Sequence, residues 1–259
     1  MQILFEFLPN FFLILIRITS FFVAAPVFSS RGVPLPFKIG LSFYVSLLIF
    51  MSLGEVHPVA VDVAYILSIV REVLVGLLLG FTAYLFFTVV QVAGSFIDLQ
   101  MGFGIANVID PLTGVQSPVF GNLKYMVAIL LFLSLNGHHA LLRAIMQSYD
   151  WIPLDNQLFH HLQDRSIADL LVQSLATMFY LAFQMAAPMV VTMFLVDVAL
   201  GVLARTAPQF NIFVVGIPVK ILVGLVMLTI LIPGFLFLFQ DLFKNMFDSL
   251  YRIMDFFKK

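Results

Sequence analysis

Arg17, Arg71, Glu72, Asp197 and Lys220 stand inside stretches of the chain that are otherwise almost wholly apolar. An ionisable group in such a setting is costly, so each is a candidate site by default. Arg17 and Arg71 fall towards the ends of their stretches, where a long side chain can snorkel to a membrane interface. For these two the expectation is a structural role at that boundary. Asp197 and Lys220 lie on consecutive apolar segments, and opposite charges so placed can pair across a helical hairpin. Asp197 could also relay a proton, but no second acid follows along its segment.

Other chemistries lack their patterns. His138–His139 and His160–His161 come as adjacent pairs, without the HExxH spacing that sets two imidazoles and a glutamate on one helix. There is no GxSxG elbow for a serine nucleophile. No Gly-x-x-x-x-Gly-Lys loop offers a cradle for nucleotide phosphates. The chain has no cysteine, which excludes disulfides, thiolate metal sites and cysteine nucleophiles. The reading is therefore not an enzyme, with no catalytic residue, cofactor or metal.

The elements that must position these residues belong to a membrane. Hydrophobic residues make up 62% of the 259 and charged ones 10%, with a mean hydropathy of +1.08. A soluble domain has roughly 45–50% apolar and about 25% charged residues. A net charge of −1 with scattered basic residues gives no nucleic-acid footprint. The opening MQILFEFLPNFF lacks the positive start and small-residue cleavage site of a signal peptide, so the first apolar segment is expected to be retained. The 30 phenylalanines and 12 methionines suit lipid-facing and packing positions.

About 20 mostly apolar residues are needed to span a bilayer as a helix. Six segments approach this: 11–28, 39–53, 66–92, 125–135, 170–200 and 212–239. The fourth is short and ends at the break Asn136-Gly137-His138-His139, followed by the amphipathic ALLRAIMQSY. Pro188 interrupts the fifth, and Pro218 and Pro233 punctuate the sixth. In the third, Gly76 and Gly80 have the four-residue spacing that lets helices approach closely. The tail, 241–259, has apolar residues at helical spacing and reads as an amphipathic helix on the membrane or a partner. Arg31, Lys38 and Arg205 place the first and fifth turns inside, with both termini outside. Lys244, Arg252, Lys258 and Lys259 argue instead for a cytoplasmic C-terminus. Six plain crossings therefore do not fit. The fold expected is an all-α integral membrane protein, one membrane domain over 1–259, with hairpins of which some are broken or not conventionally spanning.

Between the third and fourth segments lies LQMGFGIANVIDPLTGVQSPVFGN, residues 99–122. Its glycines and prolines weaken helix. Its Met101, Phe103, Ile105, Val108, Ile109, Leu112 and Val115 are too apolar for a plain solvated loop. A surface connection is one reading. The other is a loop buried in protein or lining an aqueous passage, the one way such a stretch persists at membrane depth. Met101 and Phe103 could then form a deformable apolar seal. A weak echo links APVFSSRGVPLPFK (25–38), SPVFGNLK (117–124) and APQFNIFVVGIPVK (207–220). Paired Pro/Gly interruptions point to transport sites in membrane proteins.

FFLILIRITSFFVAAPVFSSRGVPLPFKIGL, LQMGFGIANVIDP, FLSLNGHHALL and APQFNIFVVGIPVKILVG, in that order over nearly the whole chain, resemble the FliR family of flagellar type III export-gate proteins. Virulence secretion systems have homologous subunits, and the LQMG…DP and NGH blocks are more similar to the flagellar branch. The resemblance implies a place in the bacterial cytoplasmic membrane, at the flagellar basal body. FliP-like and FliQ-like subunits would join it in a helical, roughly conical gate, with an FlhB-like membrane protein around the cytoplasmic side. Unfolded flagellar proteins would be the cargo, and the loop would form part of a plug in the lumen. Carried over, the plug falls on Gly102, Phe103, Gly104, Ile105, Asn107, Asp110, Pro111 and Pro118, with Met101 beside them. The alternative is a small-molecule secondary transporter with an intramembrane Asp197/Lys220 site.

Overall fold

A computed structural model of the chain describes residues 7–30, 32–53, 59, 62–103, 119–154, 166–209 and 211–257. Among them run seven helices: α1 (Leu8–Ala24), α2 (Leu35–Ser52), α3 (Val63–Met101), α4 (Val119–Ser134), α5 (Gly137–Trp151), α6 (Ser166–Thr206) and α7 (Ile212–Phe256). The protein is an all-α integral membrane protein. Four helices, α2, α3, α6 and α7, are long and apolar enough to cross a bilayer. The pair α4–α5, bent by 69° at its break, makes a fifth candidate, and α1 is a shorter apolar helix.

Local chemistry explains the boundaries. Proline stands in the first turn of α1 and of α2, where its missing N–H costs nothing. Between α4 and α5 the chain turns at Asn136, whose φ of 57° lies in the left-handed region that asparagine tolerates. That is the break expected at NGHH. Three other expectations are corrected. Pro188 lies inside α6, and Pro218 and Pro233 inside α7, without ending either helix. Spanning helices tolerate proline where neighbouring groups and local adjustment satisfy the carbonyl four residues before it, which the missing N–H leaves free. The tail is not a separate helix, because α7 continues through Asp241 to Phe256. Likewise α3 runs past residue 92 to Met101, ending where Gly102 takes a positive φ.

The residues group into two compact units. One holds Met1–Leu85, Leu133–Leu175 and Lys244–Lys259; the other holds Phe86–Phe132 and Ala176–Phe243. In the first unit α1 packs on α2, with the Phe11 ring edge-on to Phe43 at 5.5 Å and to Phe50 at 6.0 Å. Its other face meets α3 at the two glycines expected to allow close approach. A Cβ on Gly76 would strike the Arg17 carbonyl and the Ser20 side chain, and one on Gly80 would lie 2.8 Å from the Phe21 carbonyl. Met246, Leu250, Ile253 and Met254 of α7 are buried at helical spacing, so the tail's apolar stripe is covered by this chain itself.

In the second unit the Phe87 ring touches Phe132 at 5.1 Å and Phe243 at 5.8 Å. Met185, Met189 and Met193 bury one face of α6. The remaining faces of the hairpin are bare: in their most apolar windows α6 is 17% and α7 11% buried, against 61% for α3. Two helices so exposed require lipid or another protein around them.

Gly76→Val tests the α1–α3 contact, because backbone atoms cannot yield to the new methyl groups. We expect a destabilisation of at least about 2 kcal/mol, seen as a lower Tm in detergent and reduced protein in membranes. Gly201→Ala, where no atom lies within 4 Å of the added Cβ, should leave both unchanged. Equal behaviour of the two variants would contradict the packing described.

Candidate functional site

The buried charges of the first unit share one carboxylate. Glu72 Oε1 accepts from Arg17 Nη2 at 3.0 Å and from Arg71 Nη2 at 2.8 Å, while Oε2 pairs with Arg17 Nε. The guanidinium groups carry one positive charge more than Glu72 can offset; backbone carbonyls accept from both, while Arg71 Nη1 is buried without a hydrogen-bond partner among the described residues. Arg17 donates to the Ser148 carbonyl at 3.2 Å and to the Ile152 carbonyl at 2.9 Å; Arg71 donates to the Leu154 carbonyl at 2.8 Å. The Ser148 hydroxyl and the face of Tyr149, 4.1 Å from the guanidinium carbon, complete the surroundings of Arg17. None of the three charged side chains has any exposure. The snorkelling expected of Arg17 and Arg71 is therefore overturned. Helices α1 and α3 turn both inward, and α5 with the residues after it closes over them. The cluster joins α1, α3, α5 and residues 152–154, and among the described residues its three charged side chains are fully buried.

In the second unit, polar contacts hold the two ends of the central loop. Helix α3 stops in a Schellman motif: Gly102 takes a φ of +89°, its N–H donates to the Leu99 carbonyl, and the Phe103 N–H donates to the Asp98 carbonyl. The Asp98 side chain then reaches the start of α4, accepting the N–H of Phe120 at 3.2 Å and of Gly121 at 3.4 Å. A carboxylate there satisfies orphan donors and complements the helix dipole. Beside it α3 and α4 cross in contact, since a Cβ on Gly94 would fall 2.7 Å from the Gly121 nitrogen. The Phe103 and Phe120 rings meet edge-on at 5.4 Å. Met101 is fully buried, with its side chain against Gly224 of α7, so it anchors the end of α3. Lys124, one turn into α4, is buried with its ammonium 3.9 Å from the Phe235 ring centre. Of the expected plug residues, Met101, Gly102 and Phe103 stand at this root. Gly104, Ile105, Asn107, Asp110, Pro111 and Pro118 lie outside the described residues.

The third set is the pair expected across the α6–α7 hairpin. Lys220 Nζ lies 2.6 Å from Asp197 Oδ1, and Gln100 Nε2 donates to Oδ2 at 3.3 Å. Both carboxylate oxygens are thus engaged within the chain. Asp98 and Lys124 were not among the expected intramembrane charges. Asp98 falls beyond residue 92, where the hydropathy drops, although an acid within FIDLQMG was the visible signal. Ser148 and Tyr149 carry no signal that could have linked them to Arg17.

The two charge sets should respond differently to mutation. Glu72→Ala leaves two buried guanidinium groups without their counter-charge and should cost about 3–5 kcal/mol, measured as a large drop in Tm or loss of folded protein. Lys220→Gln, at a partly exposed pair, should cost no more than about 1 kcal/mol. Similar losses from both would contradict this division.

A family model described as bacterial export proteins, family 1, matches residues 8–246. The chain is 42% identical over 254 residues to the flagellar biosynthetic protein FliR of Bacillus subtilis (strain 168), covering 98% of each. It is 32% identical over 250 residues to the FliR of Escherichia coli (strain K12), covering 96% of this chain and 94% of that one. To the FliR of Aquifex aeolicus (strain VF5) it is 26% identical over 254 residues, covering 97% and 95%. A helical membrane chain matched end to end in this way belongs to the FliR family of bacterial export proteins.

Proposed function

We propose that the chain is a subunit of the flagellar type III export gate in the bacterial cytoplasmic membrane, helping to form and gate the channel for unfolded flagellar proteins. The observation that carries this reading is the end-to-end similarity to flagellar biosynthetic proteins named FliR. The bare α6–α7 hairpin supports a place among other subunits, and FliP-like and FliQ-like chains are the partners proposed for it. An FlhB-like membrane protein is a further proposed partner. In this role the chain performs no catalysis.

The geometry at residues 98–103 and 119–124 supports a gating role for the loop between them. A plug must keep its root fixed while its tip is displaced by cargo. The Schellman turn, the Asp98 cap and the Gly94–Gly121 contact supply a fixed root. The apolar residues of the loop then keep ions out when no chain is passing.

Deleting the gene in its native bacterium tests the reading, with hook and filament proteins assayed in the medium. Export should stop and a plasmid copy should restore it; normal export would overturn the proposal and turn attention to solute transport at Asp197 and Lys220. Asp98→Ala tests the gating part separately. It should leave an assembled complex that leaks small ions, read with a membrane-potential dye. An assembled complex as tight as the wild type would contradict the fixed root.

A further inference from the structure

Lys124 stands one turn into α4 with its ammonium buried and no hydrogen-bond partner among the described residues. The face of Phe235 on α7, 3.9 Å away, answers part of its charge. A buried ammonium has three N–H donors, and leaving them unmatched in apolar surroundings is costly. The Asp98 carboxylate is the opposite charge that acts on it, and it is buried too. Among the described residues the two form no ion pair. Asp98 accepts instead from the N–H groups of Phe120 and Gly121, at 3.2 and 3.4 Å. Those are long for bonds to a carboxylate, which settle nearer about 2.7–2.9 Å.

These groups lie along one line of α4. Lys124 follows Phe120 by four residues and Gly121 by three, the spacings that place side chains on a common helix face. Side chains on a helix lean toward its N-terminus, which is the end of α4 that Asp98 caps. Two arrangements of the same charges are therefore open to the root. With Asp98 on the N–H groups, the cap is filled and the ammonium has only a ring face. With Asp98 on Lys124, both charges are matched and the first N–H groups of α4 lose their acceptor. Each leaves one set of donors unmet, so neither holds the full advantage of a buried ion pair.

We propose that Lys124 is the reserve partner of the Asp98 carboxylate, taking it when the first turn of α4 is drawn off the cap. Helices α3 and α4 then stay tied by an ion pair, with neither charge left alone in apolar surroundings. The carboxylate returns to the cap when the strain is removed, because it has stayed beside α4. This rests on the gate reading for its occasion, the passage of cargo, and it accounts for a root that holds while strained.

The first test is hydrogen exchange at the Phe120 and Gly121 amides, read by fragmentation mass spectrometry on the complex with which the full chain purifies. Lys124→Met keeps a long, flexible side chain and removes the charge. Without the reserve partner the uncapped state is less populated, so exchange should slow about tenfold, and Lys124→Arg should restore the wild-type rate. A lysine that only braced the fold would give faster exchange when removed. Equal or faster exchange in Lys124→Met would overturn the proposal. The second test uses a membrane-potential dye in cells. Lys124→Met should be tight at rest and leak ions when a flagellar export substrate is engaged, whereas Lys124→Arg should stay tight in both states. A leak at rest, or no leak with substrate engaged, would contradict a tie that acts during export. If deleting the gene leaves export normal, the gate reading fails, and the exchange rates still decide the tie itself.

Discussion

One carboxylate, Glu72, holds two arginines out of reach of both water and lipid. In a bilayer there is no solvent to absorb an unmatched charge, so the helices must bring every compensating group with them. Arg17 fixes α1 against α3, and the carbonyls of Ser148, Ile152 and Leu154 fix α5 and the residues after it against both. The glycines at 76 and 80 belong to the same arrangement. Only a bare α3 surface lets α1 come near enough for Arg17 to reach Glu72.

The same demand for satisfied polar groups shapes the loop root. Asp98 would be an expense inside an apolar helix if it stood alone. Placed over the first N–H groups of α4, it answers donors that no carbonyl of α4 can reach. The Gly94–Gly121 contact brings the two helices near enough for this. Capping and close backbone contacts thus gather at the ends of the central loop, where the proposed gating would need a fixed root. By contrast, α6 and α7 keep few contacts with the rest of the chain in their most apolar stretches, as suits surfaces meant for lipid or neighbouring subunits.

Much of this was legible in the residues. The apolar segments located the helices, the Gly76–Gly80 spacing marked a close-packed face of the third segment though not its partner, and Asn136 marked the bend. The pairing of Asp197 with Lys220 followed from opposite charges on consecutive segments. What escaped were features set by tertiary contact. Pro188, Pro218 and Pro233 read as breaks because proline's local effect is visible in sequence, whereas the neighbours that tolerate it are not. Arg17 and Arg71 read as boundary residues because Glu72 appeared only as the sequence neighbour of Arg71, and its reach to α1 depends on how the helices pack. Asp98 lay past residue 92, the end read for the third segment; an acid among apolar residues was visible there, but its capping of a helix more than twenty residues on was not.

The central proposal is that the loop rooted at residues 98–103 and 119–124 lies on the path of exported protein. A photo-crosslinking residue at position 103, in cells with a flagellar export substrate stalled by a folded fusion, tests it most directly. The account predicts adducts between this chain and the substrate that appear only when the substrate is engaged. Adducts to lipid alone, with or without a stalled substrate, would contradict it.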